Sequence, residues 1–135
     1  MNNFKLLFNS EEPKINPREY SPPALAFLGD AVFELMAREL LVSQANRPAG
    51  DLHRRTAAVV CARAQSDAMQ KLLPLLSDEE KSVYNRGRNA HVSNIPKGCT
   101  DRQYHQATGL EALFGYLYLQ GNIERLRALF LAICK

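Results

Sequence analysis

Residues 21–40 read SPPALAFLGDAVFELMAREL and predict the start and the body of a long helix. Ser21 can cap this helix, and the prolines after it suit a first helical turn, where a backbone N–H has no partner. Apolar side chains then recur at intervals of three and four residues, at Leu25, Leu28, Val32, Leu35, Met36 and Leu40. The pattern predicts an amphipathic helix over residues 24–44, which the proline and glycine of residues 46–50 break.

The rest of the chain also carries helix signals, and no stretch alternates in the manner of a strand. Two capping boxes, Ser77 with Glu80 and Thr100 with Gln103, mark helix starts because each places a Glu or Gln three residues after a capping hydroxyl. The further predicted helices cover residues 51–73 with a bend near 61, 78–87, 101–120 and 123–134, and residues 88–99 form a loop. The predicted fold class is therefore all-α.

Length and composition favour one globular domain. A chain of 135 residues that is 46% hydrophobic and 23% charged can bury a core of its own. Residues 1–20 are polar and are interpreted as an N-terminal arm, which leaves residues 21–135 as the domain. No membrane span, signal-peptide pattern or CxxC pair is visible, so we expect a cytoplasmic protein with reduced thiols. The net charge of +3 does not by itself indicate nucleic acid.

Two acidic residues stand inside strongly apolar helical segments, Asp30 in LAFLGDAVF and Glu111 in LEALFG. Acidic side chains are seldom buried without a partner. Each one could lie on the solvated face of its helix or pair with an arginine. Two of them on two long helices that must pack together favour a shared magnesium site, because Mg²⁺ needs only one or two carboxylates. Gly29 and Gly115 beside them indicate close helix packing or access for a ligand.

A basic element, NRGRNAH at residues 85–91, connects a helix end to the predicted loop. The helix dipole alone would favour arginines at that end. The same side chains also suit the binding of phosphates and sugars. The candidate RNA-binding residues are Arg86, Arg88, Asn89, His91 and Lys97.

The sequence resembles a known family at these residues. Residues 25–35, LAFLGDAVFEL, resemble the signature helix of ribonuclease III, and residues 108–119, TGLEALFGYLYL, resemble its second catalytic helix. The segments between them are similar to the short bacterial branch called mini-ribonuclease III at DLHR (51–54), RGRNA (86–90) and PK (96–97). The resemblance covers roughly residues 21–133 and implies a ribonuclease III-type domain without the separate double-stranded-RNA-binding domain of full-length ribonuclease III.

The resemblance implies a homodimeric, Mg²⁺-dependent endonuclease of double-stranded RNA that trims the ends of the 23S ribosomal RNA precursor. A ribosomal protein or a pre-ribosomal particle stays open as a further partner. Asp30 maps onto the central catalytic aspartate of the family and Glu111 onto its metal-binding glutamate. Ala26 and Thr108 stand where full-length ribonuclease III has two more carboxylates, a loss that the short branch shares. Glu34 lies one turn after Asp30, but we expect it to pair with Arg38.

Two functions other than an endonuclease are also compatible with an all-α chain of this kind. A catalytically silent ribonuclease III-like protein would only bind RNA or a ribosomal particle, and it would have no need of Asp30 and Glu111. A helical adaptor for protein partners would have no need of the RGRNA segment. A Mg²⁺-dependent cleavage assay on an RNA duplex separates all three functions.

Overall fold

The computed structural model describes residues 6–8, 11–91 and 94–135. These residues form α1 (Pro22–Gln44), α2 (Ala49–Val60), α3 (Ala62–Leu72), α4 (Asp78–Arg88), α5 (Asp101–Leu119) and α6 (Ile123–Cys134), with short 3₁₀ turns at Pro17–Glu19 and Leu73–Leu75. They contain no strand, and none of their helices combines the length and apolarity that a membrane span needs. The all-α prediction is confirmed.

The helices begin at the residues that the caps predict. Ser21 Oγ accepts a hydrogen bond from the backbone N–H of Ala24 at 3.3 Å, at the start of α1. Both capping boxes are present, with reciprocal bonds of 2.9 and 3.2 Å between Ser77 and Glu80. The corresponding bonds between Thr100 and Gln103 measure 3.0 and 3.1 Å. These contacts satisfy N–H groups that the first turn leaves unpaired, and so they fix where α4 and α5 enter the core.

The single helix predicted for residues 51–73 is in fact two helices, so the bend predicted near Cys61 is a complete break. Cys61 adopts an extended conformation with φ −66° and ψ 156°. Its N–H still bonds to the carbonyl of Ala57, and its carbonyl accepts from Gln65, so only one residue leaves the helical path. The change of direction separates α2, which buries only Thr56, from α3, which buries five residues against the core.

Helix α5 is the centre of the fold and packs against α1, α3, α4 and α6. Its contact with α1 is a contact between backbones. A Cβ atom at Gly115 would lie 2.0 Å from the carbonyl oxygen of Leu25, a distance that no packed structure allows. A second close approach joins α4 to α5, where a Cβ at Gly87 would lie 2.7 Å from the Cβ of Ala112. Tight packing therefore explains the glycines at positions 87 and 115.

The end of the predicted N-terminal arm contacts α4. Arg18 forms an ion pair of 2.7 Å with Glu79. In return, the guanidinium of Arg86 donates to the carbonyls of Arg18 at 3.0 Å and Tyr20 at 3.2 Å. These contacts hold residues 18–20 against α4. Residues 1–5, 9 and 10 of the arm lie outside the described residues.

Candidate active site

The carboxyl groups of Asp30 on α1 and Glu111 on α5 meet where the two helices cross. The crossing is close because Gly29 has no side chain: a Cβ there would lie 1.6 Å from the carbonyl oxygen of Glu111. Asp30 is exposed and Glu111 is half-buried. The two carboxyl groups are near enough to hydrogen-bond when one of them is protonated. The sequence therefore predicted two residues that the fold does bring together.

The electrostatics of the pair favour a bound cation. Burial raises the pKa of Glu111 to about 8, and the neighbouring Asp30 carboxyl adds to the rise. A carboxyl group that is desolvated beside another acid holds its proton at neutral pH unless a positive charge replaces it. A divalent cation between Asp30 and Glu111 would supply that charge. Perturbed pairs of this kind are typical of functional sites.

The immediate neighbours add few charged groups. Ala26 is buried, and the hydroxyl of Thr108 donates to the backbone carbonyl of Tyr104 at 3.0 Å, which leaves its lone pairs free. Glu34 forms the expected ion pair with Arg38 at 2.8 Å and so is engaged elsewhere. Within residues 6–8, 11–91 and 94–135, no three His, Cys, Asp or Glu side chains gather as a metal cluster.

This donor set fits magnesium. Mg²⁺ is commonly bound through one or two carboxylates and retains several waters, which can be exchanged for substrate phosphate. Asp30 and Glu111 supply the two carboxylates, and the exposure of Asp30 leaves one side open to solvent. Because Ala26 and Thr108 add no carboxylates, water and phosphate oxygens would complete the coordination of the ion.

Sequence reasoning missed Gln65, which lies on α3 beside Glu111. Gln65 is only 2% exposed, and its amide lowers the pKa of Glu111 against the effects of burial and Asp30. Its Nε2 completes no hydrogen bond among the described residues, a situation that costs about 1–3 kcal/mol for a buried donor. The signal in the sequence was a glutamine on the same helix face as Met69 and Leu72.

The basic residues at the end of α4 differ in their surroundings. Arg88 is exposed, and its guanidinium lies 5.7 Å from the ring centre of Tyr84 and 3.4 Å from the side-chain oxygen of Asn89. Arg86 is also exposed, but both of its terminal nitrogens already hold the carbonyls of residues 18 and 20. Arg88 is therefore available to a ligand at little structural cost, whereas Arg86 also has a structural role.

The other predicted RNA-binding residues, Asn89, His91 and Lys97, are all exposed. Asn89 lines an open groove of about 670 Å³ between the start of α1 and α4. Arg86, Lys81 and Asn85 line the same groove, and Lys81 is a basic residue that the sequence did not single out. The groove also contains the acidic Asp78, so its surface is polar and carries both signs of charge, with the exposed basic side chains at the end of α4 and in the described part of the loop.

Comparison with known proteins agrees with the fold. The family model of the Ribonuclease III domain matches residues 23–122, which include both Asp30 and Glu111. A crystal structure of a protein from Fusobacterium nucleatum superposes with a TM-score of 0.77 at 35% identity, covering 83% of this chain and 89% of that one. The fold and the site together define a ribonuclease III-type endonuclease domain.

Similar proteins of known family show which branch of the ribonuclease III family the chain resembles most. The Mini-ribonuclease 3 of a Thermoanaerobacter species is 48% identical over 79% of this chain and 75% of its own length. That of Symbiobacterium thermophilum is 43% identical over 82% and 85%, and that of Thermosynechococcus vestitus is 39% identical over 96% and 84%. The chain belongs to the mini-ribonuclease III branch of the ribonuclease III family of endoribonucleases.

Proposed function

We propose that this protein cleaves double-stranded RNA with Mg²⁺ held between Asp30 and Glu111, and that its substrate is the 23S ribosomal RNA precursor in the cytoplasm. The observation that carries the catalytic part is the acid pair at the α1–α5 crossing, where the pKa of Glu111 rises to about 8. The choice of precursor rests on the similarity to the short branch of the family.

The two acids would hold the metal ion beside the scissile phosphate. When bound, Mg²⁺ supplies an activated water and offsets charge on the phosphate oxygens. Asp30, exposed to solvent, would hold the ion on the side from which RNA arrives, and Glu111 would anchor it from the half-buried side. The backbone contact at Gly29 fixes the spacing of both ligands, which is what a preorganised site requires.

Recognition of the duplex would depend on its shape. The deep groove of A-form RNA hides the bases, so proteins bind its phosphates and 2′-hydroxyls. Arg88, Asn89, His91 and Lys97 are exposed side chains of the kind that bind these groups, and Arg86 adds charge beside them. Contacts of this kind position the duplex without reading its sequence.

A homodimer would place two such sites on opposite strands of one duplex. Leu25, Val32 and Phe33 of α1 are buried in the core of one chain and are not available to a partner. Phe27 is 85% exposed one turn before Asp30, and Leu28 beside it is half-buried. A large aromatic side chain left in solvent supports a partner at this end of α1.

The dimer is tested by light scattering at micromolar concentration. We expect twice the mass of one chain for the wild type and the mass of one chain for Phe27→Asp. Val42→Asp is the matched control, because Val42 is 61% exposed on the same helix but lies four turns away. A wild-type protein with the mass of one chain would contradict the dimer.

The function is tested on a synthetic stem that pairs the two ends of the 23S precursor. We expect Mg²⁺-dependent cuts in both strands, none with a chelator, and none on the corresponding DNA duplex. The assay is repeated with ribosomal proteins and with a pre-ribosomal particle, which tests the further partner. Binding of the stem without cleavage under every condition would favour the silent RNA-binding protein instead.

A further inference from the structure

The interface between α3 and α5 contains two buried polar side chains from the start of α3. Ser66 is 6% exposed, and its hydroxyl donates to the side-chain oxygen of Gln106 on α5. Gln65 is 2% exposed, and its Nε2 completes no hydrogen bond among the described residues. The hydroxyl of Ser66 therefore has a hydrogen-bond partner within the fold, whereas the amide nitrogen of Gln65 has none among the described residues.

The amide of Gln65 faces the acid pair. The side chains of Asp30 and Gln65 both lie within hydrogen-bonding reach of Glu111, where α3 and α5 pack against each other. Gln65 therefore places beside Glu111 a buried amide N–H that no other described residue uses.

We propose that Gln65 is a positioning residue, which donates its amide N–H to Glu111 when that carboxylate binds Mg²⁺ and so fixes the orientation of the ligand. The inference rests on the proposed function of the acid pair. Carboxylates that bind metals are themselves held by hydrogen bonds, and loss of such a partner weakens metal binding. In a site with only two acids, one held carboxylate oxygen determines much of the geometry.

The burial of Gln65 excludes a role in contacting the duplex. A side chain that is 2% exposed does not reach a phosphate at the surface, so its effect on RNA must pass through Glu111. A purely structural role is also distinguishable. An unpaired buried donor does not stabilise the fold, and an apolar side chain of similar size at position 65 would pack there without that penalty.

The test compares Gln65→Met with the wild type in a titration with Mn²⁺, which prefers the same oxygen ligands as Mg²⁺ and is followed by the loss of its free-ion EPR signal. We expect Mn²⁺ binding to weaken about 10- to 100-fold. The melting temperature without metal should stay the same or rise. The KM for RNA should be unchanged, while kcat falls at low Mg²⁺ and recovers at high Mg²⁺.

Ser66→Ala is the matched control, because it removes a buried polar group from the same turn of α3. It leaves Gln106 without its partner, so the melting temperature should fall while Mn²⁺ affinity is retained. Gln65→Asn keeps the amide but shortens its reach by one methylene, and it should bind Mn²⁺ with intermediate affinity.

Glu111→Gln separates the role of Gln65 from that of the acid pair. If it loses Mn²⁺ binding while both Gln65 variants bind as the wild type does, the role of Gln65 is overturned and the acid pair stands. If Glu111→Gln itself binds Mn²⁺ like the wild type, the proposed function fails at its centre. Weak binding by Gln65→Met together with strong binding by Ser66→Ala supports the inference.

Discussion

The α1–α5 crossing and the end of α4 differ in how they hold their candidate functional side chains. At the crossing, the backbones touch at Gly29 and Glu111, which fixes the backbone positions from which Asp30 and Glu111 extend. At the end of α4, Arg88 and the loop residues Asn89 and His91 are exposed to solvent. The acids of the candidate metal site thus stand on tightly packed helices, whereas the basic candidates for duplex binding stand on an exposed helix end and loop, where they can adapt.

The largest expected effect is on the crossing itself. Gly29→Ala would place a methyl group 1.6 Å from the backbone oxygen of Glu111, and backbone cannot move aside as a side chain can. We expect a loss of at least about 3 kcal/mol in the free energy of unfolding, the upper end for overpacking. Denaturant titration measures it.

Gly50→Ala is the control for that change. A Cβ at Gly50 would meet only the Arg54 side chain at 3.6 Å, an ordinary contact. We expect stability to be unchanged or to rise by about 0.4–1 kcal/mol, since alanine restricts the unfolded chain. If Gly29→Ala were as stable as Gly50→Ala, the backbone contact would not hold the site.

Loss of either acid should remove activity and keep the fold. Asp30→Asn and Glu111→Gln preserve the shape of the side chain but remove a charged metal ligand. Loss of a residue that only hydrogen-bonds to a metal ligand lowers activity up to about 100-fold. Loss of the ligand itself should therefore lower the cleavage rate by more than about 100-fold. Initial rates on an RNA duplex, with circular dichroism beside them, measure both properties. Glu111→Gln should recover part of its activity at high Mg²⁺.

Glu34→Gln is the matched control, because this acid lies one turn after Asp30 but is paired with Arg38. Its cleavage rate should equal that of the wild type. Near wild-type cleavage by Asp30→Asn would remove that residue from the mechanism, and a strong loss in Glu34→Gln would add an acid to the site.

The pH dependence of metal binding should report Glu111. Its carboxyl has a pKa of about 8 in the folded protein, so the cation must displace a proton below that pH. Mg²⁺ affinity should therefore rise about tenfold per pH unit up to about pH 8 and then level off. Calorimetric titrations at pH 6, 7, 8 and 9 measure it.

The same pKa predicts how stability changes without metal. The folded state holds the Glu111 proton up to about pH 8, whereas the unfolded chain releases it near pH 4.5. The folded state binds more protons in that window, so this residue's contribution to stability is full below pH 4.5 and is lost as the pH rises to about 8. The difference in melting temperature between wild type and Glu111→Gln isolates this contribution. A difference that is constant from pH 4.5 to 8.5 would contradict it.

The sequence predicted local structure well because its signals are local. The capping boxes at Ser77 and Thr100 are complete, and the start of α1 lies at Ser21. The break at Cys61 was only a bend in the prediction, because no proline or glycine marks it and the direction of α3 is set by packing against α5.

The site was predicted only in part, for the same reason. Asp30 and Glu111 stand out because acids are rare in apolar helices, and the family resemblance supplied their roles. Gln65 has no comparable signal, because its role depends on its position beside Glu111 on another helix, which the sequence does not show. The structural role of Arg86 depends on the backbone carbonyls of residues 18 and 20, which no spacing in the sequence reveals.

The smallest expected effect separates Arg88 from Arg86 at the end of α4. Arg88→Ala should weaken RNA binding by similar factors for unrelated duplexes and reduce the salt slope by about 1 at most, because a phosphate contact carries no sequence information. Stability should change by no more than about 0.5 kcal/mol, since its side chain is exposed. Binding isotherms at several salt concentrations and a thermal melt measure these effects.

Arg86→Ala is the informative contrast, because its two hydrogen bonds to the carbonyls of Arg18 and Tyr20 hold the end of the arm against α4. Its removal should lower the melting temperature as well as RNA affinity. If Arg88 served only to close α4 through the helix dipole, Arg88→Ala would instead lower the melting temperature slightly and leave affinity unchanged. That result would remove Arg88 from the RNA-binding surface and leave Asn89, His91 and Lys97 as its remaining candidates beside the arm-bound Arg86.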